Sequence, residues 1–299
     1  MIEQTIQRKY MVGFRNLKKT AAHKAPVILG FYVVQILLSM LSGYYIMQNF
    51  GSSKYILLPV LLFFMATRYR GLNNIIHECT HFTFSEDKAQ NFTLGSIAAA
   101  LIFASYTTYR DEHLTHHAHL GDFEHDLDFK HRIIFGFDRD LTVGMILRHI
   151  FTPILGLHMR HYFGLDLSAT DGRLYQLLKL AILAATAIAF FVDPVATSIL
   201  VIIPFAWIFS SVNYWTDCVD HAGVITKSDA LEQSRNINIP KWLRVVFFPR
   251  NDSFHLVHHL FPGIPSMHYD AAHEILMEDA RYRDNSASGK VVDGDAVLV

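Results

Sequence analysis

The run APVILGFYVVQILLSMLSGYYIMQNFGSS, residues 25–53, contains no charged side chain. An α-helix needs about 20 consecutive apolar residues to cross a bilayer, and this run is long enough to do so. One lysine follows it, and a second apolar run then continues from Tyr55 past Arg68 and Arg70 to His77. These two runs predict a hairpin of two transmembrane helices.

Two further apolar runs predict a second hairpin later in the chain. The first, Leu174 to Val192, is interrupted only by Lys179, and the second, Pro194 to Thr216, is uncharged. Between them the Asp193-Pro194 dipeptide favours a tight turn. We therefore predict an all-α integral membrane protein with about four transmembrane helices in two hairpins.

The distribution of positive charge predicts the orientation of these helices. The predicted outer loops hold little charge beyond Lys54 and Asp193. The N-terminal segment, residues 1–24, by contrast holds Arg8, Lys9, Arg15, Lys18, Lys19 and Lys24. Basic residues favour the cytoplasmic side, so the N-terminus is predicted to be cytoplasmic. Four crossings bring the chain back, which places the C-terminus on the same side.

Two apolar stretches do not fit a simple count of crossings. The stretch from Ala89 to Tyr109 is uncharged, but a crossing there would put the histidines before and after it in different compartments, so we predict a re-entrant or interfacial segment. The stretch from Leu141 to Leu165 mixes apolar with basic residues and predicts an amphipathic surface helix. A single membrane domain is expected over residues 25–283, with a disordered tail over residues 284–299.

The composition supports a membrane protein and excludes a nucleic-acid-binding one. The chain is 51% hydrophobic and only 18% charged, whereas a soluble domain has about 25% charged residues. The formal net charge is -1, and no basic stripe is present for a phosphate backbone. Its two cysteines, Cys79 and Cys218, have no CxxC spacing, so a disulfide framework is not indicated.

Three histidine clusters carry the chemistry of this sequence. Their spacings are HxxxH, HxxHH and HxxHH, and their members are His77, His81, His113, His116, His117, His255, His258 and His259. Residues three and four apart share one face of a helix, so each cluster can direct its rings to one place. Imidazole is a common ligand of iron, zinc and copper. Eight rings exceed what one ion binds, so they predict a two-metal site in a cytoplasmic helical cap.

A ninth candidate ligand is His221, just beyond the fourth predicted crossing. Asp217 precedes it by one helical turn and could bind metal directly, through water, or not at all. The acidic loop from Asp122 to Asp128 is interpreted as a solvated turn, in preference to a role in orienting imidazoles. We interpret the other histidines as structural or surface residues: His23, His119, His125, His131, His149, His158, His161, His268 and His273.

The order of two hairpins and three histidine boxes resembles the membrane-bound fatty acid desaturase and hydroxylase superfamily. The resemblance extends from Ile28 to Ile264, and the run HLVHHLFP, residues 255–262, looks like the third box of that family. It implies a di-iron centre over the cytoplasmic ends of four helices. The implied ligands are His77, His81, His113, His116, His117, His221, His255, His258 and His259. Some relatives have asparagine where this chain has Asp217, a departure that leaves the role of Asp217 open.

The resemblance also implies the reaction. Two iron ions, O2 and external electrons would desaturate an acyl chain or a similar lipid, with hydroxylation or ketolation as the alternative. No catalytic side chain beyond the metal ligands is assigned. The implied partners are a lipid or acyl substrate, membrane lipids and an electron donor such as a ferredoxin or a cytochrome b5-type protein. An external donor is needed because the chain has neither a CxxCH nor a GxGxxG motif.

Two other classes of protein compete with this prediction. The stretch His77-Glu78-Cys79-Thr80-His81 also satisfies HExxH, in which two histidines bind zinc and the glutamate is the general base of a peptidase. A peptidase leaves both HxxHH clusters unexplained. A metal transporter would carry ionisable residues at mid-membrane depth, and two of the apolar runs contain none. Both alternatives are therefore disfavoured.

Overall fold

The computed structural model describes residues 2–285, with side chains from residue 6 onward. Within that range it contains helices and no strand. The α-helices are α1 (Ile2–Phe14), α2 (Ala25–Asn49), α3 (Lys54–Thr80), α4 (Lys88–Leu101), α5 (Tyr106–His119), α6 (Val143–Ile154), α7 (Met159–Tyr162), α8 (Arg173–Val192), α9 (Pro194–Thr197), α10 (Ser210–His221), α11 (Lys241–Phe247), α12 (His255–Leu260), α13 (Tyr269–Leu276) and α14 (Ala280–Arg283). A π-helical stretch, Ser198–Phe209, joins α9 to α10 without a break.

Four helical segments are long and apolar enough to cross a membrane, which confirms the predicted all-α architecture. They are Ala25–Asn49, Gly51–Thr80, Arg173–Val192 and Pro194–His221. Their apolar side chains remain exposed to the surroundings along much of their length; Phe31, Leu41 and Phe191 are examples. Exposing such surfaces to water would be unfavourable, because removing apolar area from water stabilises a protein by roughly 25 cal/mol per Å². A bilayer removes that cost, and the protein is an integral membrane protein.

The stretch predicted to be re-entrant or interfacial is bent rather than straight. Helices α4 and α5 meet at an angle of 104° across residues 102–105. Phe103 lies in the left-handed backbone region at this break, with φ of 54°. The chain therefore does not form a straight crossing from Ala89 to Tyr109. The depth of this bent segment in the membrane stays a prediction.

The described chain divides into two compact units. The membrane unit consists of residues 19–114 and 147–216, and the second unit contains residues 2–18, 115–146 and 217–285 of the described range. The single membrane domain predicted over residues 25–283 stays a prediction. The predicted disordered tail lies outside the described residues apart from Asp284 and Asn285.

Helix α3 forms the centre of the membrane unit. It packs against α2, α4 and the π-helical stretch. From Met65 to Thr80 it is almost continuously buried, with Ile75, Ile76 and Cys79 fully enclosed. Its C-terminal half carries His77 into the interior of the unit.

Gly71 of α3 faces the ring of Tyr32 on α2, and we expect Gly71→Ala to destabilise the membrane unit. A β-carbon at this position would overlap the ring of Tyr32. Overpacking of this kind costs about 1–3 kcal/mol in the free energy of unfolding. The matched control is Gly30→Ala on α2, because nothing lies within 4 Å of its β-carbon position. Thermal unfolding in detergent should show a lower midpoint for the first variant only; equal midpoints would contradict the helix contact.

The second unit has its own apolar core, to which α1 contributes. The buried residues Ile6 and Phe14 lie on one face of α1, two turns apart, and pack with Leu256, Leu260 and Tyr282. The rings of Phe14 and Phe261 meet edge to face with centroids 5.0 Å apart. The Lys9 ammonium donates to Asp279 at 2.9 Å. These contacts hold the third histidine cluster, which forms α12, against α1 and α13.

Helix α6 confirms the amphipathic character predicted for residues 141–165, over a shorter range. Its exposed apolar residues recur at intervals of one and three: Val143, Ile146, Leu147, Ile150, Phe151 and Ile154. His149 and Thr152 lie on the opposite, buried face. The helix ends at Ile154, and the chain turns at Gly156, which has φ of 73°. Its location at the membrane surface stays a prediction.

Candidate metal centre

The membrane unit brings together three of the predicted ligands. His77 lies in α3, His81 directly follows it, and His113 lies on α5. Each offers a ring nitrogen within 4.8 Å of the other two. The ring centroids of His77 and His113 are 4.5 Å apart, and the Nε2 atoms of His81 and His113 are 3.0 Å apart.

One polar contact links α5 to α3, and a second caps the N-terminus of α5. The Tyr106 hydroxyl donates to the carbonyl oxygen of Cys79 at 2.9 Å. The Asp171 carboxylate accepts from the backbone N–H groups of Tyr106 and Thr107 at 2.7 and 2.9 Å. A carboxylate is favourable at a helix N-terminus, where the first N–H groups lack partners within the helix. The alignment of His113 with the end of α3 follows from these contacts.

The second unit holds the other six predicted ligands. His116, His221, His255 and His259 each offer a ring nitrogen within 4.8 Å of one another. The Nε2 atom of His255 lies 2.9 Å from that of His221 and 2.9 Å from that of His259. Beside this group, the Nε2 atoms of His117 and His258 are 2.8 Å apart.

The outer nitrogens of these rings are held by acceptors. The Nδ1–H of His116 donates to Asp126 at 2.8 Å, and that of His221 donates to the carbonyl oxygen of Gln233 at 3.0 Å. A carbonyl oxygen can only accept, so the hydrogen of neutral His221 is on Nδ1 and its Nε2 presents a lone pair. Ligating histidines usually have their second nitrogen held in this way.

The arrangement of the inner nitrogens fits a transition metal. A ring nitrogen carries at most one hydrogen, so a hydrogen on His255 Nε2 can serve only one of its two 2.9 Å contacts. A cation among the lone pairs satisfies all of them together. Imidazole donors suit iron, zinc, copper and nickel, whereas magnesium and calcium require oxygen donors. The residues present therefore fit a transition-metal site.

Burial keeps two of these rings in the form that binds metal. The pKa of His81 lies well below 6.5 because burial disfavours the charged ring, with smaller contributions from His113 and Arg110. The pKa of His259 is lowered in the same direction by burial and then by the neighbouring imidazoles. Only neutral imidazole has a lone pair for a metal, so both rings are ready to bind one near neutral pH.

The interpretation of the acidic loop from Asp122 to Asp128 as a solvated turn is wrong for one residue, Asp126. Asp126 is fully buried, and besides holding His116 its carboxylate accepts from the backbone N–H of Phe129 at 3.0 Å. The interpretation as a solvated turn describes Asp122 and His125, which are exposed and hydrogen-bonded to each other at 2.8 Å. The partner of Asp126 is His116, ten residues earlier on the preceding helix, and no sequence pattern distinguishes the two aspartates.

Asp217 forms an ion pair, a role the sequence did not predict. Its carboxylate lies 2.8 Å from the Arg132 guanidinium, which also contacts Asp128 at 2.8 Å. Several of the histidines interpreted as structural make hydrogen bonds to buried side chains. His149 bonds to Tyr214 at 2.8 Å, His158 to Ser210 at 2.9 Å and His273 to Tyr282 at 2.9 Å.

We expect Asp217→Asn to retain the full metal content. The substitution removes a partly exposed ion pair with Arg132, which is worth about 0.2–1 kcal/mol in the free energy of unfolding. Arg132→Gln is the matched control, since it removes the same ion pair from the other side. Elemental analysis of both variants should give the wild-type stoichiometry. Loss of metal in Asp217→Asn alone would assign that carboxylate to the metal centre.

Comparison with known proteins identifies relatives of this chain. The family described as fatty acid desaturase matches residues 53–287. Dihydrorhizobitoxine desaturase of Bradyrhizobium elkanii is 26% identical over 252 residues, which cover 78% of this chain and 71% of that protein. The sn-1 acyl-lipid omega-3 desaturase (ferredoxin) of Synechocystis sp. is 26% identical over 98 residues, 33% of this chain and 26% of that protein. The Delta(12) fatty acid desaturase FAD2 of Calendula officinalis is 30% identical over 88 residues, 28% of this chain and 23% of that protein.

Proposed function

This chain belongs to the fatty acid desaturase family, and from that premise we propose that it is an O2-dependent desaturase acting on an acyl chain or a similar lipid. Membership makes it a membrane oxidoreductase of the desaturase and hydroxylase type. One observation supports the proposal of a metal-dependent desaturase. In each unit the ring nitrogens of several histidines converge, and acceptors hold the outer ring nitrogens of His116 and His221.

We assign the nine imidazoles to two iron ions. One ion is assigned to the group in the second unit, His116, His221, His255 and His259. The other is assigned to the group in the membrane unit, His77, His81 and His113. His117 and His258, a pair in the second unit, are assigned as ligands without a division between the two ions.

The proposed reaction removes two hydrogens from neighbouring carbons of the substrate and leaves a double bond. O2 takes those hydrogens together with two external electrons and two protons, and two waters form. An unactivated C–H bond has no acidic proton, so iron ions held by these histidines would activate O2 as the oxidant, and the protein supplies orientation and exclusion of water. Asp126, the Gln233 carbonyl and Tyr269 contribute orientation, since each holds the outer nitrogen of a ring.

The electrons are proposed to come from a separate protein. A ferredoxin or a cytochrome b5-type protein fits this requirement, and one relative carries "ferredoxin" in its name. We place the N-terminus, the C-terminus and the metal centre on the cytoplasmic side, on the basis of the basic residues of the first segment. The names of the relatives leave the substrate open, because one is named for dihydrorhizobitoxine and two for acyl lipids or fatty acids.

Mass spectrometry of the product tests desaturation directly. The purified protein in nanodiscs would receive a reductase, a ferredoxin and O2, together with a whole extract of the producing cell that contains both lipids and small molecules. We expect a product lighter than its substrate by two hydrogens, formed only with O2. A product heavier by one oxygen atom would replace desaturation by hydroxylation, the alternative within the same family.

We expect Glu78→Gln to leave the metal content unchanged. Glu78 is the residue that would be the general base of a zinc peptidase with an HExxH motif. It is only 3% exposed, within the buried half of α3, and lies between His77 and His81 in sequence. The variant should retain two irons per chain and O2-dependent product. If it kept its metal but lost a measurable proteolytic activity, the peptidase hypothesis would replace the oxygenase.

A further inference from the structure

The membrane unit contains a cavity of about 270 Å³ next to the candidate metal centre. It is bounded by α3, by the bend between α4 and α5, by the segment after α7, and by the end of the π-helical stretch with the start of α10. One side is aromatic. The ring of Phe205 lies 5.6 Å from that of Phe103, 6.1 Å from that of Phe163 and 6.0 Å from that of Phe209, measured between centroids.

Polar side chains line another part of the cavity. Asn73, Asn213, Ser210 and Asp166 all border the cavity. The Arg70 guanidinium donates to the Oδ1 atom of Asn213 at 3.1 Å, which leaves the amide N–H groups of Asn213 as donors. The half-buried side chain of Asn73 makes no hydrogen bond within residues 2–285. Buried amides normally have partners, so this lining is suited to a ligand that has hydrogen-bonding groups of its own.

The position of Asn73 connects the cavity to the metal centre. Asn73 and His77 are four residues apart on α3, so they share one face, about 6 Å apart along the helix axis. A molecule held at Asn73 therefore lies one helical turn from a proposed iron ligand. This distance is suitable for a substrate whose reacting carbons are close to its polar group.

We propose that this cavity binds the substrate, and that the substrate is a compact molecule in which a hydroxyl, amide or amine group adjoins a short aliphatic segment. The inference rests on the proposed function and narrows its substrate class. A volume of 270 Å³ is just below the usual range of ligand pockets, about 300–1,000 Å³. A site built to hydrogen-bond its substrate rejects analogues without the polar group by about 10⁴-fold or more. A plain hydrocarbon chain would leave the amide of Asn73 without a partner.

Binding of a small probe tests the proposal without requiring turnover. The probe is isotopically labelled hexanamide, and its binding to the full-length, metal-loaded protein in nanodiscs is measured by equilibrium dialysis. Oleate serves as the competing plain chain. The main variant is Asn73→Leu, which keeps the side-chain size and leaves no protein hydrogen bond broken. The matched control is Asn49→Leu, an exposed asparagine at the end of α2 outside the cavity. Metal content is measured in each preparation to confirm folding.

We expect hexanamide to bind the wild type and Asn49→Leu equally, at least about tenfold more weakly to Asn73→Leu, and not to be displaced by oleate. Equal affinity in all three proteins, absence of binding to the wild type, or full displacement by oleate would each overturn the proposal. None of these outcomes bears on the metal content or on O2 use, so a failure here is distinguishable from a failure of the proposed function.

Discussion

Replacing His258 by alanine is expected to abolish turnover and to remove metal from the protein. His258 is 2% exposed, its Nε2 atom lies 2.8 Å from that of His117, and its Nδ1 atom bonds to the Tyr269 hydroxyl at 3.1 Å. The variant loses a donor atom that no neighbouring side chain replaces. Changes to residues that merely hold a ligand already cost about 10–100-fold in metal affinity, and loss of the ligand itself should cost more. Elemental analysis and product formation measure the two effects.

The control for this prediction is His131→Ala, at an exposed histidine. His149, another histidine interpreted as structural, is a weaker control, because it is buried and bonds to Tyr214. We expect the exposed variant to keep wild-type metal and activity. Equal losses in His258→Ala and His131→Ala would mean that the ligand assignment is wrong.

The second large effect is expected from Asp126→Ala. Its carboxylate holds the Nδ1–H of His116 and caps the turn at Phe129, and both it and His116 are buried. Removing it leaves a buried donor without its partner, at a cost of about 1–3 kcal/mol in the free energy of unfolding. It also frees the His116 ring, which should lower metal affinity about 10–100-fold. Metal titration of the apoprotein and thermal unfolding measure these quantities separately.

Asp122→Ala is a closely matched control for Asp126→Ala. Asp122 also bonds to an imidazole Nδ1 at 2.8 Å, that of His125, but both side chains are exposed. Water replaces the lost contact there, so metal affinity and unfolding should stay close to wild type. If the two variants lost metal to the same extent, the orienting role of Asp126 would be refuted.

The sequence predicted much of this molecule because its main signals are local. Uncharged runs such as residues 25–53 report helices in a membrane, and spacings of three and four report which histidines share a face. Those signals were sufficient for the four spans, whereas His221 was grouped with His255 and His259 through the family resemblance. They operate within one helix or between its neighbours in sequence.

The features that the sequence did not reveal depend on distant partners. Asp126 and Asp122 belong to the same loop, and only the fold buries one of them against His116. Asp217 meets Arg132, far away in sequence, and the sequence offered no reason to pair them. The polar lining of the cavity was not revealed for the same reason. In the sequence Asn73 and Asn213 are ordinary helix residues, and only the packing of α3 against α10 places them in one cavity. Tertiary packing determines which polar groups are buried, and periodicity carries no information about it.

The central claim is tested most directly by the identity and number of the metal ions. Elemental analysis would be made on protein purified in detergent from iron-supplemented cells. The account predicts close to two metals per chain, mostly iron. It would be contradicted by one zinc per chain that is lost when His77 is replaced and unaffected when His258 is replaced.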